Sequence, residues 1–244
     1  MADGPSIRDS GQRSWTNKHV TFTVAVQGLY DAWNGESGDS LARYQATTAA
    51  IGAFIDASVK DGAPLRALGS GWSFSHAAVT DGRLVNTKPL NLFFSLDPAL
   101  VAPAYPGDRD GLRFVQCGNS VSALNRALKA QQRSLRTTGA SNGQTIVGVS
   151  ATGSHGSAID IGPVADFIVA LHVVLGAGRH VWLERASYPV VTDAFIAKLG
   201  AEPLRDDAVF NAALVGLGSF GFIHGAVIET DPIFLLEMHR HLMP

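Results

Sequence analysis

The sequence predicts an α+β fold, in which mainly antiparallel strands pack beside helices. A β-hairpin is expected at 167–184, because Val173, Leu175, Val181 and Leu183 lie in alternation on either side of a Gly-Ala-Gly turn. Strand-like segments outnumber helix-like ones over the 244 residues. Strands and helices do not alternate regularly, which argues against a doubly wound parallel sheet.

Each element has its own local signal. The first helix has apolar residues at helical spacing before an Asp-Gly stop, and Asn119 or Ser120 can cap the second. The strands are short apolar runs, several of them beside turn residues. In chain order we predict a helix at 44–60, strands at 65–68, 82–86 and 112–117, a helix from residue 119 or 120 to 132, hairpin strands at 167–175 and 179–184, helices near 192–199 and 206–214, and a strand at 222–230.

Composition limits the classes of function. Hydrophobic residues make up 46% and charged residues only 16%, with 26 glycines, which indicates a well-buried chain with many tight turns. A net charge of −2 provides no basic surface for nucleic acid or anionic lipid. The sequence shows neither a long apolar span nor a secretory signal at its N-terminus. We therefore expect a soluble, cytoplasmic protein with no nucleic-acid or membrane partner.

The single cysteine, Cys117, excludes an internal disulfide. It lies in a strand-like run, where a buried and inert thiol is favoured over a nucleophile or ligand. The sequence contains no CxxC or HExxH pattern and no P-loop. These metal and nucleotide sites therefore have no support, and we expect no metal.

Three segments rich in Gly and Ser are the candidates for chemistry. Residues 69–73 follow a predicted strand, residues 145–157 hold glycines and small hydroxyl side chains, and residues 216–223 lead into the last strand. Backbone N–H groups in such loops can form an anion-binding nest, and hydroxyl groups add donors. Each segment alone could be an ordinary turn or a tightly packed backbone. Together they suggest one long ligand held by several backbone segments.

These segments resemble those of a known family. Residues 66–75, RALGSGWSFS, resemble the pyrophosphate loop of FAD-linked oxidases of the vanillyl-alcohol oxidase type, with the sugar-lactone and alditol oxidase branch nearest. Residues 151–157, ATGSHGS, are similar to the ATGTHG segment of that family, and residues 217–223, LGSFGFI, resemble its LGALGVI segment. Their order and spacing also match, and the likeness extends over about 43–230.

The resemblance implies a two-lobed PCMH-type FAD-binding domain: a small α/β lobe and a larger antiparallel-sheet lobe with flanking helices, and FAD between them. We expect an N-terminal segment at 1–42, the first lobe at 43–88 and the second at 89–232. Relatives continue into a substrate-binding cap domain, and residues 233–244 resemble its start. The chain is then either a fragment whose cap lies elsewhere, which we favour, or a stand-alone flavin module.

The resemblance also implies the contacts with FAD. The pyrophosphate would lie on 67–73, the ribityl and isoalloxazine portion along 140–155, and the nucleotide against the backbone of Phe222 or Ile223. His155 is expected near the ring system as a hydrogen-bonding contact rather than a general base, so the catalytic base stays unknown. The implied cofactor-binding residues are Ala67, Leu68, Gly69, Ser70, Gly71, Trp72, Ser73, Ala140, Thr145, Gly148, Thr152, Gly153, Ser154, His155, Phe222 and Ile223.

One departure from the family bears on how the flavin is held. Many relatives tether it covalently through a His where this chain has Trp72. An indole cannot replace that ligand, because its nitrogen lone pair belongs to the aromatic ring. His76 is expected to point elsewhere, and Cys117 lies at a core position. We therefore expect non-covalent FAD.

The implied function is that of an FAD-dependent oxidoreductase. It would transfer a hydride from a CH–OH group of a small polyol, sugar, lactone or alcohol to flavin N5, with O2 or another acceptor completing the cycle. The alternative is a non-catalytic flavin-binding or electron-transfer subunit that needs a second chain for substrate. A Gly-rich α+β domain without cofactor is the third interpretation.

Overall fold

Two β-sheets organise the chain in the computed structural model, which describes residues 4–237 and 239. The strands are β1 (Ser6–Asp9), β2 (Ser14–Thr16), β3 (Thr23–Ala25), β4 (Gly28–Trp33), β5 (Leu65–Leu68), β6 (Arg83–Asn86), β7 (Phe93–Ser95), β8 (Leu112–Gln116), β9 (Arg133–Ser134), β10 (Ile168–Gly176), β11 (Arg179–Glu184), β12 (Glu202–Arg205), β13 (Phe222–Glu229) and β14 (Asp231–Pro232). The helices are α1 (Ser40–Lys60), α2 (Val121–Ala130), α3 (Ile146–Ala151), α4 (Asp193–Leu199) and α5 (Asp207–Leu214).

The two sheets differ in size and pairing. The first has four strands in the order β1-β4-β6-β5, with β1 antiparallel to β4 and the other pairs parallel. The second has six strands in the order β12-β11-β10-β13-β8-β7 and is antiparallel except at the β11–β12 pair. Strands β2 and β3 form a separate hairpin. The predicted α+β class is confirmed, and the structure shows one small mixed sheet and one larger, mainly antiparallel sheet.

Helix α1 lies between the two sheets. Its Ile51 shares one apolar cluster with Val85 of the first sheet and Val174 of the second. Gly52 passes so close to β10 that a Cβ there would lie 2.5 Å from the carbonyl oxygen of Gly176. Only glycine permits this approach without a shift of one backbone, so Gly52 sets the distance between α1 and β10.

Helices α2, α3 and α5 cover one face of the second sheet. Leu128 of α2, Ile146 of α3 and Phe210 of α5 are fully buried against the apolar side chains of that face, such as Leu171 and Ala226. Helices α1 and α4 pack on the opposite face. Burial on both faces explains why β10 is apolar along most of its length, as its sequence predicts.

Two buried histidines join α1 to the second sheet. The Tyr44 hydroxyl lies 2.6 Å from Nδ1 of His172, whose Nε2 lies 2.8 Å from Nδ1 of His180. His224 contacts the Thr48 hydroxyl at 3.0 Å through Nδ1. Burial lowers the pKa of His172 to about 3 and the pKa of His224 well below its usual value. Both rings are therefore neutral hydrogen-bonding groups near pH 7.

Every helix and strand predicted above is present with small shifts of its ends. The structure adds α3 and the strands β1 to β4, β7, β9, β12 and β14. Strands β1 and β4 pair into the sheet of β5 and β6, so the first sheet crosses the expected boundary between segment 1–42 and the first lobe. The expectation for 233–244 lies partly outside the described residues. Within the described part of the chain, no helix combines the length and the apolar character needed to span a bilayer.

Candidate cofactor site

A cavity of about 540 Å³ opens between the two sheets. Three segments supply most of its wall: residues 69–74 after β5, which we call the glycine loop, residues 144–154 around α3, and residues 217–223 at the start of β13. Clefts that hold small molecules and cofactors span roughly 300–1,000 Å³. The Gly/Ser-rich segments, which lie far apart in sequence, therefore meet around one cavity of cofactor size.

The glycine loop needs glycine at two positions. Gly71 has φ of +68°, and a Cβ there would lie 2.6 Å from Cζ2 of Trp15. A Cβ on Gly69 would overlap the hydroxyl of Thr145 on the opposite wall. The backbone N–H groups of residues 70–74 donate to no other residue that the structure describes. The loop thus presents a row of neutral donors, which is the chemistry of an anion nest.

The wall around α3 adds hydroxyl groups and a side-chain amide oxygen without a partner among the described residues. Thr145 is buried at the start of α3, yet its side chain makes no capping hydrogen bond. Gln144 also lines the cavity, and its buried Oε1 has no hydrogen-bond partner within residues 4–237. A buried acceptor without a partner costs about 1–3 kcal/mol, so a ligand N–H at this position would remove that cost.

One cation faces this cavity. Arg66 on β5 is the sole charged side chain among the described residues of the lining. Its Nη1 donates to the carbonyl oxygen of Leu217 at 2.5 Å, which joins the edge of the first sheet to the segment before β13. Leu217 has φ of +49°, a left-handed conformation that is uncommon for a residue other than glycine. The cavity therefore carries a net positive charge, which favours an anionic ligand.

The residues implied by the family resemblance divide into two groups. Ala140, Gly153 and His155 lie outside the cavity lining, and His155 is exposed with Nδ1 2.8 Å from the carbonyl oxygen of Gly156. The others line the cavity: Ala67, Leu68, Gly69, Ser70, Gly71, Trp72, Ser73, Thr145, Gly148, Thr152, Ser154, Phe222 and Ile223.

Sequence reasoning missed several residues of the lining, among them Arg66 and Gln144. Arg66 belongs to the segment that carries the family resemblance, but nothing in a four-residue strand shows which way its side chain turns. Gln144 directly precedes a predicted contact, and only its missing hydrogen-bond partner sets it apart.

Three groups bear on covalent attachment. Trp72 lines the cavity, whereas His76 is exposed in a 3₁₀ turn, where its ring packs on Phe22 at 4.1 Å between centroids. Cys117 lines the cavity too, and it is buried as predicted. Burial raises the pKa of its thiol to about 12, so the reactive thiolate is scarce near neutral pH.

These features fit FAD. The diphosphate is an anion for the donors of the glycine loop and for the Arg66 guanidinium. The polar flavin and ribityl groups match the hydroxyls of Thr145 and Thr152 and the unpaired oxygen of Gln144. The left-handed Gly71 leaves the loop backbone open to close approach.

Comparison with known proteins also indicates that the chain binds FAD. A family model described as an FAD binding domain matches residues 41–184. The chain is 27% identical over 215 residues to L-gulono-1,4-lactone dehydrogenase of Mycobacterium tuberculosis, covering 87% of this chain and 42% of that protein. It is 31% identical over 176 residues to D-arabinono-1,4-lactone oxidase of Saccharomyces cerevisiae, covering 72% of this chain and 29% of that protein. The chain thus spans less than half the length of these relatives.

The fold has a counterpart among solved structures. A His121Ala mutant of cholesterol oxidase from Brevibacterium sterolicum superposes with a TM-score of 0.61 at 13% identity, covering 95% of this chain and 39% of that chain. At this identity the likeness shows the fold alone. The family match shows more, since it spans over half of the chain and names the ligand. The chain belongs to the FAD binding domain family of FAD-linked oxidoreductases, and FAD is its cofactor.

Proposed function

We propose that this chain is the cofactor-binding part of an oxidase or dehydrogenase that oxidises a CH–OH group of a small polyol, sugar, lactone or alcohol. The observation that carries the proposal is the meeting of three Gly/Ser-rich segments and one arginine around a single cavity. The names of the curated relatives, which are lactone oxidases and lactone dehydrogenases, support the substrate class.

The chain's own residues have distinct tasks in this proposal. The backbone of 67–73 holds the diphosphate, and Arg66 balances part of its charge. The residues around α3, including Gln144, Thr145, Gly148, Thr152 and Ser154, contact the ribityl and ring portions. The backbone of Phe222 or Ile223 contacts the nucleotide. When bound, FAD would supply the redox chemistry, as the acceptor at N5 of the substrate hydride, with O2 or another acceptor taking the electrons afterwards.

The flavin is held without a covalent bond in this proposal. Trp72 has no ring nitrogen with a free lone pair, because an indole N–H is a donor only. His76 packs on Phe22 away from the cavity lining. Cys117 reaches the cavity, but the raised pKa of its thiol keeps it protonated.

The general base comes from outside this set of residues in our proposal. Within the described lining, the ionisable side chains are Arg66 and Cys117. A guanidinium stays protonated at any physiological pH, and the Cys117 thiol has a pKa of about 12. Neither can accept a substrate proton near neutrality. A second chain or a further domain would then complete the substrate pocket. The lack of a suitable base in the described lining also favours a second candidate function, that of an electron-transfer subunit.

Anaerobic reduction distinguishes the two candidates. The FAD-bound chain is mixed with L-gulono-1,4-lactone, D-arabinono-1,4-lactone or simple polyols, and bleaching of the flavin absorbance is followed. We expect measurable but slow bleaching by at least one of them, because the described residues of the lining include no group that can act as a base near neutral pH. If dithionite bleaches the flavin and no CH–OH compound does, the electron-transfer candidate is favoured instead.

A further inference from the structure

A β-hairpin near the N-terminus covers the outer side of the glycine loop. It comprises β2, β3 and the turn between them, residues 14–25, which we call the N-terminal hairpin. These residues precede the segment that the family model matches, 41–184. The hairpin contacts the loop through hydrogen bonds to its backbone and through ring contacts, so it belongs to the structure around the cofactor site.

Asn17 joins the hairpin turn to the loop. Its side chain is buried, with 2% exposed. Its Oδ1 accepts the N–H of Thr21 at 2.8 Å and so closes the turn. Its Nδ2 donates to the Thr21 hydroxyl at 2.8 Å and to the carbonyl oxygen of Ser73 at 3.1 Å. One amide group therefore ties the hairpin and the glycine loop together.

A second backbone bond and a packed ring act beside it. The N–H of Lys18 donates to the carbonyl oxygen of Gly71 at 2.8 Å. The Trp15 ring lies so close to Gly71 that a Cβ there would be 2.6 Å from Cζ2. The two loop carbonyls that accept hydrogen bonds from the hairpin belong to Gly71 and Ser73, which are two residues apart in the chain.

This spacing orients the backbone N–H groups of the residues that follow, Trp72 and Phe74. In a trans peptide, the C=O of one residue and the N–H of the next point in opposite directions. Because the carbonyls of Gly71 and Ser73 point to the hairpin, the N–H groups of Trp72 and Phe74 point away from it. Those N–H groups donate to no described residue, and both residues line the cavity.

Aromatic contacts add to the attachment. The His19 ring stacks on Phe74 with 4.3 Å between centroids and 14° between planes. It also meets Trp72 edge-on at 5.4 Å. His19 is exposed, so its loss removes these contacts without opening the core.

We propose that the N-terminal hairpin braces the glycine loop in its diphosphate-binding conformation, with Asn17 as the positioning residue. This inference rests on the proposed function, because it assigns the loop to the FAD diphosphate. Asn17 itself touches no ligand in this account. It acts by fixing the Ser73 carbonyl, and with it the direction of the Phe74 N–H.

Asn17→Asp tests the proposal with little change in shape. The carboxylate keeps the acceptor for the Thr21 N–H and removes the donor to Ser73. Two variants serve as controls. Lys18→Gln makes the same change of net charge but keeps the backbone hydrogen bond to Gly71. Thr16→Val removes an exposed hydroxyl that contacts Thr23 within the hairpin. Equilibrium titrations compare FAD with riboflavin, which lacks the diphosphate.

We expect Asn17→Asp to weaken FAD binding about tenfold and riboflavin binding less than about twofold, because only the diphosphate uses the braced loop. Both controls should bind FAD within about 1.5-fold of the parent. An equal loss for FAD and riboflavin, or an equal loss in Lys18→Gln, would overturn the proposal.

His19→Ala keeps the test decisive if Asn17→Asp fails to fold. The exposed ring is dispensable for the core, and its removal should weaken FAD binding about threefold through loss of the stacking on Phe74 and Trp72. Unchanged FAD binding in this variant would contradict the brace. Failure of the parent chain to bind FAD would instead count against the proposed function itself.

Discussion

The guanidinium of Arg66 donates through Nη1 to the carbonyl oxygen of Leu217 at 2.5 Å, across the cavity between the two sheets. This bond links an edge strand of the first sheet to the segment that enters β13 in the second. It also fixes a positive charge in a lining that is otherwise uncharged among the described residues. Arg66 therefore has two roles in the account, as a link between walls and as a counter-charge.

Replacing Arg66 by Met should weaken FAD binding by at least about tenfold, because a charge-assisted hydrogen bond contributes roughly 1.5–3 kcal/mol. Arg66→Lys should restore part of the affinity, since it keeps the charge but not the planar fork. FAD titrations at low and high salt measure both effects.

Arg179→Met serves as the control, because Arg179 forms an exposed ion pair with Asp56 and is absent from the cavity lining. If Arg66→Met retains the parent affinity and the parent salt dependence, the arginine is only a structural link.

Denaturation should release all the flavin, because no residue in the described part of the lining is suited to tether it. The FAD-bound chain is denatured by acid or heat and passed through a gel-filtration column, and absorbance is followed in the protein and small-molecule fractions. Flavin that stays with the polypeptide would contradict non-covalent binding. His76→Ala and Cys117→Ala would then identify the attachment point.

Acid should begin to destabilise the protein at pH values well above those at which carboxylates titrate. The pKa values of His172 and His224 are lowered in the folded state, so the unfolded chain binds more protons below its ordinary histidine pKa of about 6.5. The stabilising effect of the neutral rings is full above that pH and is lost as pH falls toward the folded values. Each ring adds a slope of up to about 1.4 kcal/mol per pH unit.

Urea unfolding at pH 7 and pH 5 checks this expectation, and the free energy of unfolding should fall by about 3–4 kcal/mol if both rings contribute fully. The exposed His155 offers a matched control, since His155→Gln should leave the difference unchanged. Equal stability at the two pH values would show that the buried histidines titrate normally.

Gly52→Val should destabilise the chain by about 1–3 kcal/mol, because the new side chain meets the backbone of Gly176 and separates α1 from β10. Thermal unfolding measures the change, with Ala53→Ser on the exposed face of α1 as the control. A variant as stable as the parent would mean that the close approach of α1 to β10 does not require glycine at position 52.

Local sequence signals predicted most elements because their causes are local. Ser120 caps α2 by accepting the N–H of Ala123 at 3.2 Å, and the alternating residues of β10 and β11 pair as a hairpin. Helix α3 was missed because Gly148 and its β-branched neighbours have low helix propensity. Its buried Ile146 and Val149 stabilise it by tertiary packing instead.

The candidate site was predictable only in part, for a similar reason. The requirement for glycine at Gly71 is visible in the sequence as a Gly-Ser pattern. The Trp15 ring beneath it, the bond from Asn17 to Ser73 and the turn of Arg66 toward Leu217 depend on segments brought together by the fold. No short-range pattern encodes such contacts.

In our proposal the glycine loop holds the FAD diphosphate, and Gly71→Val tests this assignment most directly. Valine at φ of +68° is strained, and its side chain would press on Trp15. FAD dissociation constants are measured for this variant, for the parent and for Ser157→Ala, which alters an exposed residue outside the lining. We predict at least about a tenfold loss of affinity for Gly71→Val, equivalent to about 1.4 kcal/mol, and little change for Ser157→Ala. Parent-like FAD affinity in Gly71→Val would show that the loop is only a turn and that the diphosphate lies elsewhere.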